Sequence, residues 1–324
     1  MDRDIFGVLP DGREVERIRL TAGKLEASVL TWGATVQDLR LAGRPMVIGA
    51  DHLDAYLGDL LYAGAIVGRF ANRIAGARFN LDNTTFYTDP NFRARHTLHG
   101  GHGGTGEQLW RLDRATTDQV RLSLSLPDGH MGFPGELTVA ATYSVEPPAT
   151  LRIRIEARTT RATPCSFAHH GYFTLDGSGD IKRHRLTVAA NHYLPVDQDL
   201  IPTGQIAGVE GTAFDFRKPR EIGSFGYDHN FCLNDSDGRL RDVALLESPE
   251  SGISLAVSTT EPGLQIYDGG HLEGACAYGG TPLKACPGLA METQAWPDSP
   301  NQHRFPPCIL RPGAVYRTET SYRF

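Results

Sequence analysis

Apolar and polar residues alternate with a period of two along much of the chain, and this pattern predicts β-strands. Arg121–Leu126 reads R-L-S-L-S-L and Leu151–Ala157 reads L-R-I-R-I-E-A, so each places its apolar residues on one face. Leu137–Val145 precedes a short segment containing Pro147 and Pro148, which predicts a hairpin with Leu151–Ala157. Similar patterns predict strands at Glu26–Leu30, Lys182–Ala189, Ile253–Ser258 and Val315–Phe324.

The same reading predicts very little helix. Leu53–Leu61 is the one stretch whose apolar spacing suits about two helical turns. Turn dipeptides such as Asp11-Gly12 and Asp128-Gly129 separate the strands, and the 36 glycines and 20 prolines are spread without a linker or a repeat. We therefore expect one all-β domain over residues 1–324, a large antiparallel β-sandwich whose strand ends and loops carry the chemistry.

Composition narrows the possible partners and location. Lys and Arg number 32 and Asp and Glu number 38, so the formal net charge of −6 disfavours a nucleic-acid partner. The five cysteines are an odd number without C-x-x-C spacing, which predicts neither a disulfide framework nor a zinc site. The longest apolar run, Leu60 to Val67, is far shorter than a membrane span, and the N-terminus lacks a secretory pattern. We expect a cytoplasmic protein that does not enter the membrane.

The segment Leu289–Pro307 contains the first candidate for chemistry. Glu292 follows three apolar residues and precedes Thr293 and Gln294, a pattern in which a strand could carry its carboxylate inward. The prolines from Pro297 onward favour an ordered loop that wraps a pocket. From the residues alone, a catalytic carboxylate and a strand-edge glutamate bonded to its neighbours both remain possible.

Histidines are concentrated in two segments. His96–Gly104 contains three histidines at metal-ligand spacing, but its four glycines and the absence of an adjacent Cys or carboxylate favour a turn that presents one hydrogen-bonding histidine. In Cys165–Phe173, alternation along a strand sends His169 and His170 to opposite faces, so one of them can serve a given pocket. A purely structural, hydrogen-bonded histidine is the alternative.

Two further segments are more polar than a β scaffold requires. Gly68–Ile74 contains Arg69 and Arg73, one of which could point into a concave region and hold sugar hydroxyls or a carboxylate. A solvated strand end is the alternative. Gly226–Phe231 contains Asp228, which could accept two hydroxyl hydrogen bonds from a ligand or could bond its own backbone in a turn.

Taken together, these segments resemble the aldose 1-epimerase (galactose mutarotase) family along nearly the whole chain. The motifs occur in the family's order: T-W-G-A-T-V, A-Y-L-G, G-R-F-A-N-R-I, T-L-H-G-G, P-D-G-H-M-G-F-P-G, A-T-P-C-S-F-A-H-H-G-Y-F-T-L, Y-L-P-V-D with I-P-T-G, A-F-D-F-R-K-P, Y-D-H-N-F, T-T-E-P-G-L-Q-I-Y and M-E-T-Q-A-W-P-D-S-P-N. The resemblance implies a galactose mutarotase-like supersandwich. It also implies an enzyme that interconverts the α and β anomers of free aldoses such as galactose or glucose, with no metal and no cofactor.

The resemblance also implies roles for individual residues. Glu292 of the E-T-Q motif is the expected general base, and His170 is the expected general acid. The expected sugar-binding residues are Asn72, Arg73, His99, Tyr172, Asp228 and Gln265. His169, Gly171, Thr174 and the stretch Asn91–His96 differ from the residues usual in the family, so the preferred sugar and the roles of His169 and His102 stay open.

Anomer exchange needs two groups of opposite protonation on either side of the sugar. We expect ionised Glu292 and protonated His170, with Asp228 as the anion that keeps His170 charged. A non-catalytic sugar-binding β-sandwich, an epimerase of a phosphorylated hexose with Lys or Arg at the rim, and a glycosidase with two carboxylates are the alternatives. The expected partner is a small-molecule monosaccharide, and the expected oligomeric state is a monomer or homodimer.

Overall fold

A computed structural model describes residues 2–324 and confirms the all-β prediction. Its largest sheet has nine antiparallel strands and includes six of the seven strands that alternation predicted, with ends that differ by at most three residues. The spatial order is Arg111–Ala115, Gln119–Leu126, Leu137–Glu146, Thr150–Thr159, Tyr316–Arg323, Ser254–Thr259, Arg241–Glu247, Arg185–Val188 and Arg220–Glu221. The predicted hairpin is present, because Leu137 to Glu146 pair with Thr159 to Thr150 in continuous register.

Two further large sheets and four short ladders complete the strands. The five-stranded sheet runs in the order Asp2–Val8, Glu14–Ala22, Leu25–Leu30, Val36–Leu41 and Arg44–Pro45. The six-stranded sheet runs in the order Tyr172–Phe173, Leu289–Gln294, Gly263–Tyr267, Asp228–Leu233, Ala190–Tyr193 and Ala207–Gly208. The ladders pair Arg73–Ile74 with Thr97–Leu98, Arg78–Leu81 with Thr84–Tyr87, Ile66–Val67 with Ala168–His169, and Thr163–Pro164 with Ile309–Leu310.

Helix is confined to short segments, and the observed α-helix is shorter than the predicted one. The α-helix covers Leu53–Leu57 and ends at Gly58, whose φ of −133° and ψ of −114° are not helical. Residues through Leu61 therefore form turns, and the prediction that the helix reaches Leu61 was wrong. The 3₁₀ segments are Ala75–Ala77, Thr105–Glu107, His130–Gly132, Gly270–Leu272, Tyr278–Gly280 and Ser299–Asn301. No helix within residues 2–324 is long and apolar enough to span a bilayer.

One hydrophobic cluster joins the three large sheets. It contains Ile18 of the five-stranded sheet, Leu122 and Ile153 of the nine-stranded sheet, and Leu264 and Met291 of the six-stranded sheet, all buried. Burial of this apolar surface is the main force that holds the sheets together. The six-stranded sheet thus has one face packed in the core, and its opposite face is free to present other residues.

The register of the six-stranded sheet brings polar residues together on that opposite face. Gln265 lies directly across from Glu292 on one side and from Asn230 on the other, and Asp228 lies across from Tyr267. Residues opposite each other in an antiparallel pair project to the same face, with Cβ atoms about 5 Å apart. Three neighbouring strands therefore carry a row of carboxylate and amide side chains over one surface.

Candidate active site

A cavity of about 820 Å³ lies over the polar face of the six-stranded sheet. Seven of the eight residues predicted for the site line it: Asn72, Arg73, His99, His170, Tyr172, Asp228 and Glu292. Gln265 is not in the lining. It lies behind Asp228 and donates a hydrogen bond from Nε2 to Asp228 Oδ1 at 2.5 Å. The eight residues come from six separate parts of the sequence and meet at one place in the fold.

Glu292 lies on the strand Leu289–Gln294, as its apolar approach predicted. Its neighbours Met291 and Leu289 belong to the hydrophobic core, so alternation turns the Glu292 side chain toward the cavity. The residue is only 2% exposed, and its Oε2 has no hydrogen-bond partner among the protein atoms. A buried carboxylate oxygen without a partner is costly, which favours a role in binding or proton transfer.

His170 faces Glu292 across the cavity floor. Its Nε2 is 3.6 Å from Glu292 Oε1, and its Nδ1 is buried without a protein partner. Its backbone is fixed on both sides, since His170 N donates to Ala65 O and Gly64 N donates to His170 O, each at 2.9 Å. The prediction that His169 and His170 face opposite ways is confirmed: His169 packs against Phe173 and Tyr322 in the interior.

The electrostatics of this pair differ from the expectation. Burial, reinforced by the charge of Asp228, raises the pKa of Glu292 to about 8. Burial lowers the pKa of His170 to about 4, because desolvation outweighs the attraction of Asp228. Asp228 therefore does not keep His170 charged near neutrality. The raised pKa of Glu292 and the lowered pKa of His170 both favour a neutral pair near neutral pH, with one proton held on Glu292.

Asp228 is instead the centre of a hydrogen-bonded clamp. Arg73 Nη2 donates to Asp228 Oδ2 at 2.9 Å, and the two side chains are 8% and 17% exposed. Arg73 also receives support from Asn72, whose Oδ1 accepts the Arg73 backbone N–H at 2.9 Å. Charged groups held in this way are pre-organised for hydroxyl ligands, since the guanidinium donates in a fixed fork and the carboxylate accepts.

His99 presents a hydrogen-bond donor to the cavity. Its Nδ1 accepts the backbone N–H of Asn72 at 3.1 Å, so in the neutral ring the proton lies on Nε2. Burial, together with the nearby His170 and Arg73, lowers the pKa of His99 well below its usual value, so the ring is neutral at pH 7. All three histidines of the glycine-rich segment make hydrogen bonds, but only His99 lines the cavity, whereas His96 bonds to Gly76 and Asp199 and His102 bonds to Asp89.

The same tautomer bears on metal binding. The donor atoms of His99, His170 and Glu292 lie within 4.8 Å of one another, which is compatible in type and spacing with a divalent cation. A histidine ligates through a lone pair, and the Nε2 of His99 carries the proton because Nδ1 already accepts from Asn72. The trio therefore fits a hydrogen-bonding role better than a metal site.

Aromatic rings form a wall around these groups. The ring centroids of Tyr62 and His99 are 4.9 Å apart, those of His99 and His170 are 5.2 Å apart, and those of His170 and Tyr172 are 5.1 Å apart. Tyr172 is 1% exposed, and beyond it the rings of Tyr267 and His271 are stacked at 5.5 Å. This wall places aromatic faces beside Glu292 and His170, and such faces offer apolar contact surface to a ligand.

Several lining residues were not predicted from the sequence: Asp59, Tyr62, Phe92, Arg93, Leu200, Tyr267, His271 and Glu273. Most belong to turns and loops whose course the alternating pattern does not encode. Other residues considered in the sequence lie elsewhere. The Arg69 guanidinium is buried and donates to the carbonyls of Pro134 and Gly135, and His102 is exposed beside Asp89.

Comparisons with known proteins identify the family of the chain. A family model described as aldose 1-epimerase matches residues 16–323. The galactose mutarotase of Rattus norvegicus is 41% identical over 99% of this chain and 98% of its own length. The aldose 1-epimerase of Escherichia coli K12 is 34% identical over 97% of this chain and 96% of its own length.

Solved structures give the same result. An aldose epimerase homologue from C. elegans superposes with a TM-score of 0.90 at 29% identity, over 95% of this chain and 98% of its own. A galactose 1-epimerase from Lactobacillus acidophilus superposes with a TM-score of 0.85 at 26% identity, over 99% of this chain and 97% of its own. Family match, full-length identity and shared fold together establish that the chain belongs to the aldose 1-epimerase family.

Proposed function

We propose that this chain is an aldose 1-epimerase that interconverts the α and β anomers of free aldoses such as galactose or glucose. The observation that carries the proposal is the buried pair of Glu292 and His170, with 3.6 Å between Oε1 and Nε2, on the floor of a sugar-sized cavity. Family membership and the relatives named above support the same reaction. The chemistry needs one group that accepts a proton and one that donates a proton on either side of the sugar.

In the proposed mechanism, Glu292 takes the proton of the C1 hydroxyl and His170 gives a proton to the ring oxygen O5. The C1–O5 bond breaks, the resulting aldehyde rotates about the C1–C2 bond, and O5 attacks the other face of C1. The two proton transfers then run in reverse, so neither residue is changed over the cycle. Each transfer contributes about a hundred- to ten-thousandfold to the rate.

The protonation of Glu292 and His170 before the reaction determines how the ionised pair is reached. With Glu292 protonated and His170 neutral in the ligand-free cavity, the reactive ionised pair is reached by moving that single proton across 3.6 Å. Sugar hydroxyls that donate to Glu292 stabilise its ionised form, because hydrogen bonds to a carboxylate lower its pKa. Substrate binding therefore favours ionised Glu292 and protonated His170. The active enzyme is still the form in which the two residues together hold one proton.

The remaining predicted residues are proposed to hold the sugar. Asp228 accepts hydrogen bonds from sugar hydroxyls while Arg73 donates them, and Gln265 fixes the orientation of Asp228. The Nε2–H of His99 points into the same space and would donate to the oxygen that gains negative charge during ring opening. We assign Asn72 to holding Arg73 and His99, and Tyr172 to the apolar wall.

The alternatives are less well supported. A phosphorylated hexose needs free cations at the rim, but among the described lining residues Arg73 is paired with Asp228 and Arg93 with Asp199. Asp59 and Glu273 add negative charge to the lining, which would repel a dianion. A non-catalytic sugar-binding module would have no need of the Glu292–His170 pair. A glycosidase would normally use two carboxylates as its acid and base, whereas here the partner of Glu292 is His170 and Asp228 is held by Arg73 and Gln265.

Three further assignments complete the proposal. We propose that residues 1–324 form one catalytic domain, supported by the family match over 16–323 and by the core shared among three sheets. The five unpaired cysteines support a reducing, cytoplasmic location. The cavity is lined by one chain, which is compatible with a monomer or with a homodimer.

Polarimetry tests the function directly. Freshly dissolved α-D-galactose, α-D-glucose, an arabinose anomer and glucose 6-phosphate would each be followed with and without the protein. We expect faster approach to anomeric equilibrium for the free sugars and little acceleration for the phosphate ester. Sugar binding seen by calorimetry without any acceleration would instead support the binding-module alternative.

A further inference from the structure

Tyr62 adopts a backbone conformation that a bulky side chain rarely takes. Its φ is +70°, in the left-handed region that favours glycine, and it lies in the turns that follow the helix Leu53–Leu57. An aromatic residue in this region persists only when its surroundings hold it there, and such strain is concentrated at functional sites. Tyr62 lines the cavity, yet the proposed mechanism does not use it.

The ring of Tyr62 supports His99. Their centroids are 4.9 Å apart with an interplanar angle of 64°, an edge-to-face contact. His99 is held on two other sides, by the N–H of Asn72 at Nδ1 and by the ring of His170 at 5.2 Å. Without the Tyr62 ring, the third side of the imidazole is unsupported, and the direction of its Nε2–H is less well fixed.

Tyr62 is itself anchored at the far end of Gly100–Gly106, the glycine-containing segment that follows His99. Its hydroxyl donates to Glu107 Oε1 at 3.1 Å, and its ring lies against Gly106, where an added Cβ would approach Tyr62 Cδ1 to 3.2 Å. His99 and Glu107 lie on either side of this segment. Tyr62 therefore braces the segment at two points, with its ring at His99 and its hydroxyl at Glu107.

The turn that carries Tyr62 also holds the other histidine. Tyr62 O accepts from Ala65 N, Ala65 O accepts from His170 N, and Gly64 N donates to His170 O, each at 2.9 Å. A single strained turn thus connects His99 through a side chain and His170 through the backbone. Relative placement of the two imidazoles depends on the position of this turn.

We propose that Tyr62 is a positioning residue that aims the Nε2–H of His99 at the sugar oxygen during ring opening. The inference rests on the proposed function. It adds that Tyr62, which exchanges no proton itself, sets the direction of the His99 Nε2–H. A misplacement of about 1 Å in such a group can cost on the order of a hundredfold in rate.

The first test removes the ring and then restores it. Tyr62→Gly suits the left-handed backbone, so the turn is expected to keep its course while the ring is lost. We expect kcat to fall about ten- to a hundredfold with KM changed less than kcat. Tyr62→Phe keeps the ring and loses the bond to Glu107, and we expect a loss of about two- to fivefold. Glu107→Ala removes the acceptor of the same bond, so its loss should match that of Tyr62→Phe.

A double-mutant cycle separates positioning from general loosening. In a His99→Gln background there is no imidazole to aim, so Tyr62→Gly should change kcat by less than about threefold. An equal loss with and without His99 would overturn the proposal. So would a Tyr62→Gly enzyme with the parent's kcat. The ring protons of His99 should also shift in the NMR spectrum of Tyr62→Gly and stay near their parent positions in Tyr62→Phe.

A matched control uses another strained residue. Asp235 has a φ of +50° in an exposed turn and is not part of the cavity, so Asp235→Gly should leave kcat unchanged. If the parent protein does not accelerate anomer exchange, the proposed function fails before Tyr62 is tested. If the parent and Tyr62→Gly are equally active, only the inference about Tyr62 fails.

Discussion

Two of the cavities lined by charged residues in the described part of the chain differ in how far they remove those charges from water. A groove of about 530 Å³ lies on the nine-stranded sheet, where Arg111 is paired with Asp113 and Arg121 with Glu156. Arg121 and Glu156 are 40% and 43% exposed, whereas His170 and Glu292 are 7% and 2% exposed. Exposed pairs contribute about 0 to 1 kcal/mol, while buried charges shift their pKa values strongly.

The difference shows which property of a site indicates chemistry. In the groove, Arg111, Asp113, Arg121 and Glu156 form ion pairs and keep access to solvent. In the active-site cavity and directly behind it, Glu292 Oε2, His170 Nδ1, Gln265 Oε1 and Arg73 Nε are all buried without a protein partner. Such atoms are tolerated when a ligand or ordered water completes them. Both cavities are large and lined by charged residues. What distinguishes the active-site cavity is that its charged groups are buried away from water.

The largest effect is expected at His170. His170→Asn removes the proposed acid, and anomer exchange should slow by about a hundred- to ten-thousandfold. Polarimetry from pure α-D-galactose measures the loss. His169→Asn is the matched variant: it faces the interior, so stability should fall while kcat stays within a fewfold of the parent. Equal losses in both variants would contradict the distinction between the cavity and the core.

Asp228→Asn tests the clamp beside the pair. Arg73 and Gln265 lose their charged acceptor, and we expect kcat/KM to fall about ten- to a hundredfold. Asp228 contributes to the raised pKa of Glu292, so the basic limb of the rate profile should move to lower pH. A limb that stays in place or moves upward would contradict the electrostatic account. The pH dependence of kcat/KM is the measurement.

The pH profile of the parent enzyme reports the shared proton. Because the pKa of His170 is lowered to about 4 and that of Glu292 is raised to about 8, the state with one proton is populated between these limits. We expect a bell-shaped kcat/KM with a broad maximum between them and a decline of about tenfold per pH unit outside. The limbs belong to the coupled pair and not to either residue alone.

Stability at acid pH depends on the interior histidine. Burial lowers the pKa of His169 to about 3, below its unfolded value of 6.5. The stabilising contribution is therefore complete above pH 6.5 and is lost as the pH falls toward 3, because the unfolded chain then binds an extra proton. Chemical denaturation should show a slope of up to about 1.4 kcal/mol per pH unit from this group, absent in His169→Gln.

The smallest effect is expected in the groove on the nine-stranded sheet. Arg121→Ala breaks exposed pairs with Asp113 and Glu156, at 3.9 and 3.7 Å. We expect kcat within about twofold of the parent and a change in the free energy of unfolding below about 1 kcal/mol. A large loss of activity would show that the groove takes part in function.

Much of the fold was accessible from the sequence because period-two alternation is a direct record of a half-buried strand. Some strand ends match and others differ by up to three residues, since pairing and not side-chain pattern decides where a ladder stops. The predicted length of the helix that begins at Leu53 was too great. Gly58 leaves the helical region there, and the apolar residues that follow, such as Leu60, are buried by turns.

The site was only partly accessible. Alternation identified Glu292 and separated His169 from His170, and the family resemblance supplied the other sugar-binding residues. Tyr62 and Leu200, both with left-handed backbones, lie in turns whose approach to the cavity depends on tertiary packing. The prediction that His170 is protonated was wrong for the same reason. The sequence shows that Asp228 is an available anion, but it does not show that His170 is completely buried, and burial lowers the pKa of His170.

The central claim is that Glu292, on the cavity face of its strand, exchanges the proton that opens the ring. Glu292→Gln keeps the size and removes the acid, and Met291→Leu changes the adjacent residue on the core face. Both would be followed by polarimetry from α-D-galactose, with thermal melting to verify folding. We predict a loss of about a hundred- to ten-thousandfold for Glu292→Gln and a rate within a fewfold of the parent for Met291→Leu. A folded Glu292→Gln protein with activity within tenfold of the parent would contradict the account.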